Sequence, residues 1–281
     1  MTSRFERLWP GATARGYTAV ALIGVVCGVG APAQAGPQSD DESADRSDRA
    51  SAAGLESADH WTFGAGVAAR PEFEGSDEYA ASPVPIVDVQ YGRFFAKTSD
   101  GIGAYVVDTP DFTVGASVNW MEGYDGDDVA RGIDDVDGEL GARLFASTRF
   151  QGVEATLGAT QAVTDTDRGL LIDAELAYPW AASKRFIIKP SISLSWANGT
   201  YMDGYFGISS SESATSGLRR YEPSNGFKDV SLRISARYRI TDSITGIGAV
   251  GVTHLLGEAA DSPMVEQETS PTAFLGLSYT F

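Results

Sequence analysis

The chain has 281 residues, is 43% hydrophobic and 10% aromatic, contains 32 glycines, and carries a formal net charge of −17 at neutral pH. A surface this acidic repels nucleic acid and other polyanions, which excludes a nucleic-acid partner and suits cationic partners or divalent ions. The apolar fraction is too high for a disordered chain. The longest nearly apolar run, Tyr17–Val29, falls short of the ~20 residues that a membrane helix needs.

That run has informative flanks. Arg4, Arg7 and Arg15 precede it, and "APAQA" (Ala31–Ala35) follows it. A basic start, a short apolar centre and an Ala-x-Ala ending predict a secretory signal peptide over 1–35, cleaved after Ala35. The only cysteine, Cys27, lies inside it, so the exported chain carries no thiol and needs no disulfide. Residues 36–59 hold seven acids and two arginines with almost nothing apolar, which predicts a flexible acidic linker.

From Trp61 the pattern has period two. In "VSLRISARYRI", Val230, Leu232, Ile234, Ala236, Tyr238 and Ile240 alternate with Ser231, Arg233, Ser235, Arg237 and Arg239. "FTVGASVNW" (112–120), "ELGARLFASTRF" (139–150) and "FIIKPSISLSW" (186–196) behave alike. These segments match the ~9–11 residues of a tilted membrane-crossing strand, whereas soluble strands run to ~5–6. Alternation alone also fits a soluble sandwich. The export signal, the aromatics near segment ends (Trp61, Trp120, Tyr178, Trp180, Trp196) and the alternation of tight with long connections favour a membrane barrel.

The expected fold is an all-β antiparallel transmembrane barrel over 60–281. About twelve strands are predicted, at roughly 60–70, 83–90, 92–98, 101–108, 111–122, 137–149, 152–164, 168–180, 184–198, 227–241, 243–256 and 270–281. An even count puts both ends in the periplasm and lets the first and last strands pair.

Catalytic chemistry is sparse. His60 precedes the first strand, and His254, near the outer end of the eleventh, is followed by Leu255 and Leu256 with no serine nearby. No catalytic set, cofactor or structural metal is expected from two distant histidines and no thiol. The loop "GYDGDDVARGIDDVDGE" (123–139) concentrates six aspartates, a composition able to attract Ca²⁺, but its spacing fits no EF-hand, and a solvated acidic loop is the plainer reading. The predicted lumen face carries both signs. Its expected charges are Glu139, Arg143, Glu175, Lys189, Arg233, Arg237 and Arg239, joined by Arg149, Glu154 and Asp173. Glu175 and Lys189 are predicted to lie opposite each other and to narrow the lumen, as in small barrels filled by side chains. The rival is a channel in which the three arginines favour anions.

Specific strings add a resemblance. "PEFEGSDEY" (Pro71–Tyr79), "PVP" (Pro83–Pro85) and "YGRFF" (Tyr91–Phe95), followed by "YFGIS" (Tyr205–Ser209), "GFKDV" (Gly226–Val230) and "LLGEAADSPMV" (Leu255–Val265), resemble the MipA/OmpV family in the same order. The resemblance covers essentially all of Trp61–Phe281. It implies a Gram-negative outer-membrane barrel without an active site, in contact with outer-membrane lipid and lipopolysaccharide. One branch is linked to a lytic transglycosylase and a penicillin-binding protein as a scaffold for murein hydrolase and synthase; others are porin-like or adhesive. Pro83 and Pro85, lacking N–H groups, suit a strand entry. The ending "GLSYTF" resembles the C-terminal signal read by the outer-membrane assembly machinery, with Gly276, Leu277, Tyr279 and Phe281 in matching places. Phe274 departs from that pattern, which more often has a polar residue there.

Overall fold

The computed structural model describes residues 59–164 and 169–281. The predicted signal peptide, its predicted cleavage point and the predicted linker up to residue 58 lie outside the described residues. Thirteen strands form one closed antiparallel sheet: β1 (His60–Pro71), β2 (Tyr79–Tyr91), β3 (Phe94–Lys97), β4 (Gly101–Asp108), β5 (Phe112–Met121), β6 (Glu139–Phe150), β7 (Val153–Ala162), β8 (Leu170–Ala177), β9 (Trp180–Ser183), β10 (Phe186–Ala197), β11 (Gly226–Arg239), β12 (Ile244–Leu255) and β13 (Thr269–Thr280). Both β8 and β9 pair with β10, so they fill one wall position and the barrel has twelve. The single strand predicted over 168–180 is broken at Tyr178 and Pro179, because proline cannot donate to the ladder.

The barrel closes by pairing β1 with β13, from Thr62 opposite Thr280 to Ala69 opposite Ala273. No sheet edge is left at the seam. Tight turns join strands at the end that holds both termini, and, apart from the short turn at 98–100 between β3 and β4, longer connections sit at the other, which marks the periplasmic and outer ends respectively. Among the described residues no helix is long and apolar enough to cross a membrane; the strands do the crossing.

The pleat sorts the side chains. On β13, Leu275 and Leu277 are 73% and 57% exposed, while Ser278 between the outward residues is 5% exposed. Outward leucine and valine meet lipid, and most polar groups face the lumen. The Phe274 ring turns inward, at the position where the predicted assembly pattern more often has a polar residue. It lies flat over Gly66 and Gly276, where a Cβ on Gly66 would fall 2.5 Å from the ring. With Ala68, Val84, Ile86 and Ile247 it forms an apolar cluster on the inner wall.

The wall is uneven around β3 and β4. β3 has four residues and pairs with β2 only from Asp88 to Tyr91. The outer half of β2 therefore has β1 on one side and, among the described residues, no strand on the other. Pro83 and Pro85 lie in the middle of this open stretch, paired to Val67 and Ala65 of β1, and not at a strand entry as predicted. An exposed edge is where a missing N–H does no harm.

The outer connections are not bare loops. Among the described residues they carry four short helices that the sequence pattern did not announce: α1 (Gly126–Val129), α2 (Gly199–Phe206), α3 (Ser210–Ser216) and α4 (Gly257–Ala260).

Candidate functional site: a capped lumen lined with charge

The lumen holds a cavity of about 410 Å³. Its lining runs from Asp108, Pro110 and Asp111 at the periplasmic turns up to Ser193, Ser195 and Arg233 in mid-barrel. Inward positions of β6, β7, β8 and β11 supply charges, among them Arg143, Glu154, Glu175 and Arg233. Arg143 of β6 holds Asp173 of β8 through two bonds, Nη1–Oδ1 at 2.5 Å and Nη2–Oδ2 at 2.9 Å, and donates a third to Thr160 Oγ1 at 3.2 Å. This pair crosses β7 over Gly158, where a Cβ would fall 2.2 Å from the guanidinium. Bidentate arginine–carboxylate pairs are rigid, and this one spans the cavity wall.

The other predicted lumen charges distribute as follows. Glu154 is shared by Arg149 and by Lys189, whose Nζ lies 3.4 Å from Oε2. Glu175 sits in register with Thr156 on one side and Ser193 on the other, near the charges of Lys189 and Arg233. Direct opposition of Glu175 and Lys189 is thus replaced by a link from Lys189 to β7, because Lys189 lies beyond the end of the β8–β10 ladder. Glu139 is buried at the outer end of β6, opposite Met121. Arg239 is exposed at the periplasmic rim. Arg237 makes no ion pair among the described residues, and its Nε is buried without a hydrogen-bond partner. Near the short hairpin, Lys97 donates to the Tyr105 hydroxyl at 2.8 Å, and His60 Nε2 meets Asp88 at 3.1 Å.

At the outer end the connections pack together. Tyr201, Met202, Tyr205 and Phe206 of α2 pack with Phe73, Met121, Leu255, Ala259 and Met264 into the main hydrophobic core, in which Met202 is fully buried. Tyr201 and Tyr205 stack at 4.3 Å. Polar ties knit the connections together. The Tyr205 hydroxyl donates to the Glu122 carbonyl, Ser262 Oγ donates to the Phe206 carbonyl at 2.7 Å, and the Gly75 carbonyl accepts from the backbone N–H groups of Glu266 and Gln267 at 2.8 Å. Arg70 of β1 and Glu122 beyond β5 form an ion pair under this cap. Asn198 starts α2 by accepting from Tyr201 N–H at 3.0 Å. The strand pattern predicts only a connection between 198 and 227, yet Asn198 followed by Tyr201/Tyr205 and Met202/Phe206 at helical spacing is a readable helix signal.

The aspartate-rich loop uses part of its acid internally. Asp125 accepts from Asp127 N–H at 3.0 Å to cap α1, and Asp135 accepts from Gly126 N–H at 2.9 Å. Burial, then the charges of Asp128 and Glu78, push the Glu72 carboxyl up. Burial, then Asp125, Glu78, Asp127 and Asp135, push Asp128 up likewise. Among the described residues no group of three metal-ligating side chains converges. His254 Nδ1 meets Thr269 Oγ1 at 2.7 Å on the outward row of β12.

The C-terminal residues are built into the wall. Phe281 N–H donates to the Trp61 carbonyl at 3.0 Å, and its ring packs edge-on against Phe63 and Tyr279. Leu277 and Tyr279 face outward from β13, and Gly276 faces in.

A family model described as MltA-interacting protein MipA matches residues 63–281. The MltA-interacting protein of Escherichia coli strain K12 is 26% identical over 206 residues, which cover 71% of this chain and 81% of that one. A second protein of that strain, provisionally named outer membrane protein YiaT, is 24% identical over 228 residues, or 78% of this chain and 90% of its own length. Among solved structures, the NanC porin aligns with a TM-score of 0.43 and 10% identity over 78% of this chain and 98% of the porin.

Proposed function

From the premise that the chain belongs to the MipA family, and is a β-barrel of the Gram-negative outer membrane, we propose that it is a non-enzymatic scaffold for peptidoglycan-remodelling enzymes, with a lytic transglycosylase as its direct partner and a penicillin-binding protein brought alongside. The observation that carries this reading is the matched family itself, described by its interaction with MltA.

The geometry supports it in two ways. Helical outer connections pack an apolar core at the outer end, and the lumen cavity is lined down to the periplasmic turns, which suits a recess reached from the periplasm. The periplasmic turns present exposed charges of both signs, among them Asp108, Asp111, Lys184, Arg185, Arg239 and Asp242. Charges on short, rigid turns are suited to selecting a folded partner by electrostatic complementarity. The relatives' names describe an interacting protein and an outer-membrane protein, and neither names an enzymatic activity. The C-terminal residues Gly276, Leu277, Tyr279 and Phe281 serve in this proposal as the address read by the assembly machinery.

The test is cross-linking in intact envelopes, followed by solubilisation and affinity capture of the barrel. A lytic transglycosylase is expected in the captured fraction, and charge reversal at Lys184 and Arg185 should reduce it. Capture that enriches no murein enzyme would refute the proposal.

A further inference from the structure

The wall has a gap in its outer half. Above Val87, β2 lacks a neighbour on the β3 side, and β5 continues past Val118, where its pairing with β4 ends. The turn at Thr98–Asp100 forms the floor of the gap. At membrane depth an open sheet edge persists only where its polar groups are met by protein or water.

Here the edge is partly relieved of those groups. N–H and C=O of alternate residues point to the same side of a strand. Val87 points toward the hairpin, since it exchanges bonds with Thr98, so Pro85 and Pro83 point the same way. Neither has an N–H to leave unpaired. Thr98 Oγ1 accepts from Val87 N–H at 2.8 Å and donates to the Pro85 carbonyl at 3.0 Å. A strand added by a partner or a second copy would find no donor at either proline, whereas a hydrocarbon chain requires none.

Behind the edge runs a registered row, Arg237–Ile247–Gly276–Gly66–Val84, crossing from β11 to β2. Its two glycines leave a floor on which the Phe274 ring lies, so the row is an apolar trough. One end is the unpaired Arg237 guanidinium, and the other is the open edge at Pro83 and Pro85. A cavity of about 30 Å³ touches Arg237, Phe274, Val84, Pro85 and Thr98 and so joins the two ends. Asp88 and Lys97 also border it, but they are engaged by His60 and Tyr105. The cavity has room for about one water, so a longer guest must displace the Phe274 ring.

We propose that the trough and gap bind a single-chain amphiphile with an anionic head. The head sits on Arg237, the tail lies along Phe274, Ile86 and Val84, and its end leaves through the gap between β2 and β5 into the outer leaflet.

The test uses the full barrel in proteoliposomes with a fatty acid carrying a diazirine in its chain, and maps labelled residues after photolysis. Wild type should be labelled at the inward residues Val84, Ile86 and Phe274 as well as at lipid-facing Leu275 and Leu277. In Arg237→Gln the inward labelling should fall about tenfold, the loss of one charge-assisted contact, while labelling of Leu275 and Leu277 stays constant. Arg237→Lys should retain inward labelling, and Phe274→Ala should raise it. Heat-modifiable migration of each variant checks that the barrel is folded. Labelling confined to outward residues in wild type would overturn the proposal. Equal inward labelling by the corresponding diazirine alcohol, or inward labelling unchanged in folded Arg237→Gln, would overturn the anionic-head assignment.

Discussion

Replacing Lys228 with methionine should loosen the outer cap by a predictable amount. Lys228 sits at the bulge where β11 passes β10, between Phe227 opposite Trp196 and Asp229 opposite Ser195. Its Nζ reaches both Glu74 carboxylate oxygens at 2.6 Å and Asp229 Oδ2 at 2.9 Å, with the Tyr201 ring centre 5.9 Å away. The side chains of Lys228 and Asp229 are 5% and 7% exposed, and that of Glu74 is 46% exposed. Methionine keeps most of the stem but leaves Asp229 as a buried anion, helped only by the Ser195 hydroxyl at 3.3 Å. Removing one partner of a buried pair costs about 3–5 kcal/mol, and the half-exposed Glu74 arm adds up to ~1 kcal/mol. The hydroxyl offsets part of this, so K228M should lose about 3 kcal/mol. The double variant K228M/D229N removes both charges and should regain most of the loss. The assay is urea unfolding of the detergent-folded barrel, followed by tryptophan fluorescence and compared at equal slope. A K228M midpoint indistinguishable from wild type, or a double variant no better than the single one, would refute the reasoning.

Three further outcomes are expected. Deleting Phe281 removes the bond to Trp61 and the contact with Phe63, and should reduce the heat-modifiable form recovered from outer membranes; normal recovery would count against the assembly role. Met202→Asp places a carboxylate in the driest part of the cap, at a cost of several kcal/mol unless the cap opens, so it should give conductance in planar bilayers where wild type is silent; a silent variant would show that the cap is not the barrier. Glu72 and Asp128 have folded pKa values raised above their unfolded ones. Their stabilising contribution is fully present below the unfolded carboxylate values and is lost as pH rises through the raised folded values. Amide exchange of 122–138, corrected for intrinsic rate, should therefore show greater protection in mild acid than at neutral pH, and Asp128→Asn should flatten that difference.

Much of the barrel was legible from local pattern. A strand exposes alternate residues to opposite faces, so lipid on one side and lumen on the other write themselves into the sequence as period two. This is why the twelve wall positions and the pairing of first and last strands could be read in advance. What the sequence withheld depends on residues distant along the chain. Lys189 bonds Glu154 of β7 while Glu175 lies in register with Ser193, because strand stagger, invisible locally, decides which inward residues share a level. The cap needs side chains from four connections at once, and no single connection is apolar enough to announce it. Phe274 looked like a defect in a terminal signal until Gly66, more than two hundred residues earlier, was seen beneath its ring. Pro83 and Pro85 read as a strand entry from sequence; only the short reach of β3 makes them the lining of an open edge. Alternation is set residue by residue through the pleat, whereas register, cap and gap arise from closure of the whole ring, and that is why tertiary structure alone decided them.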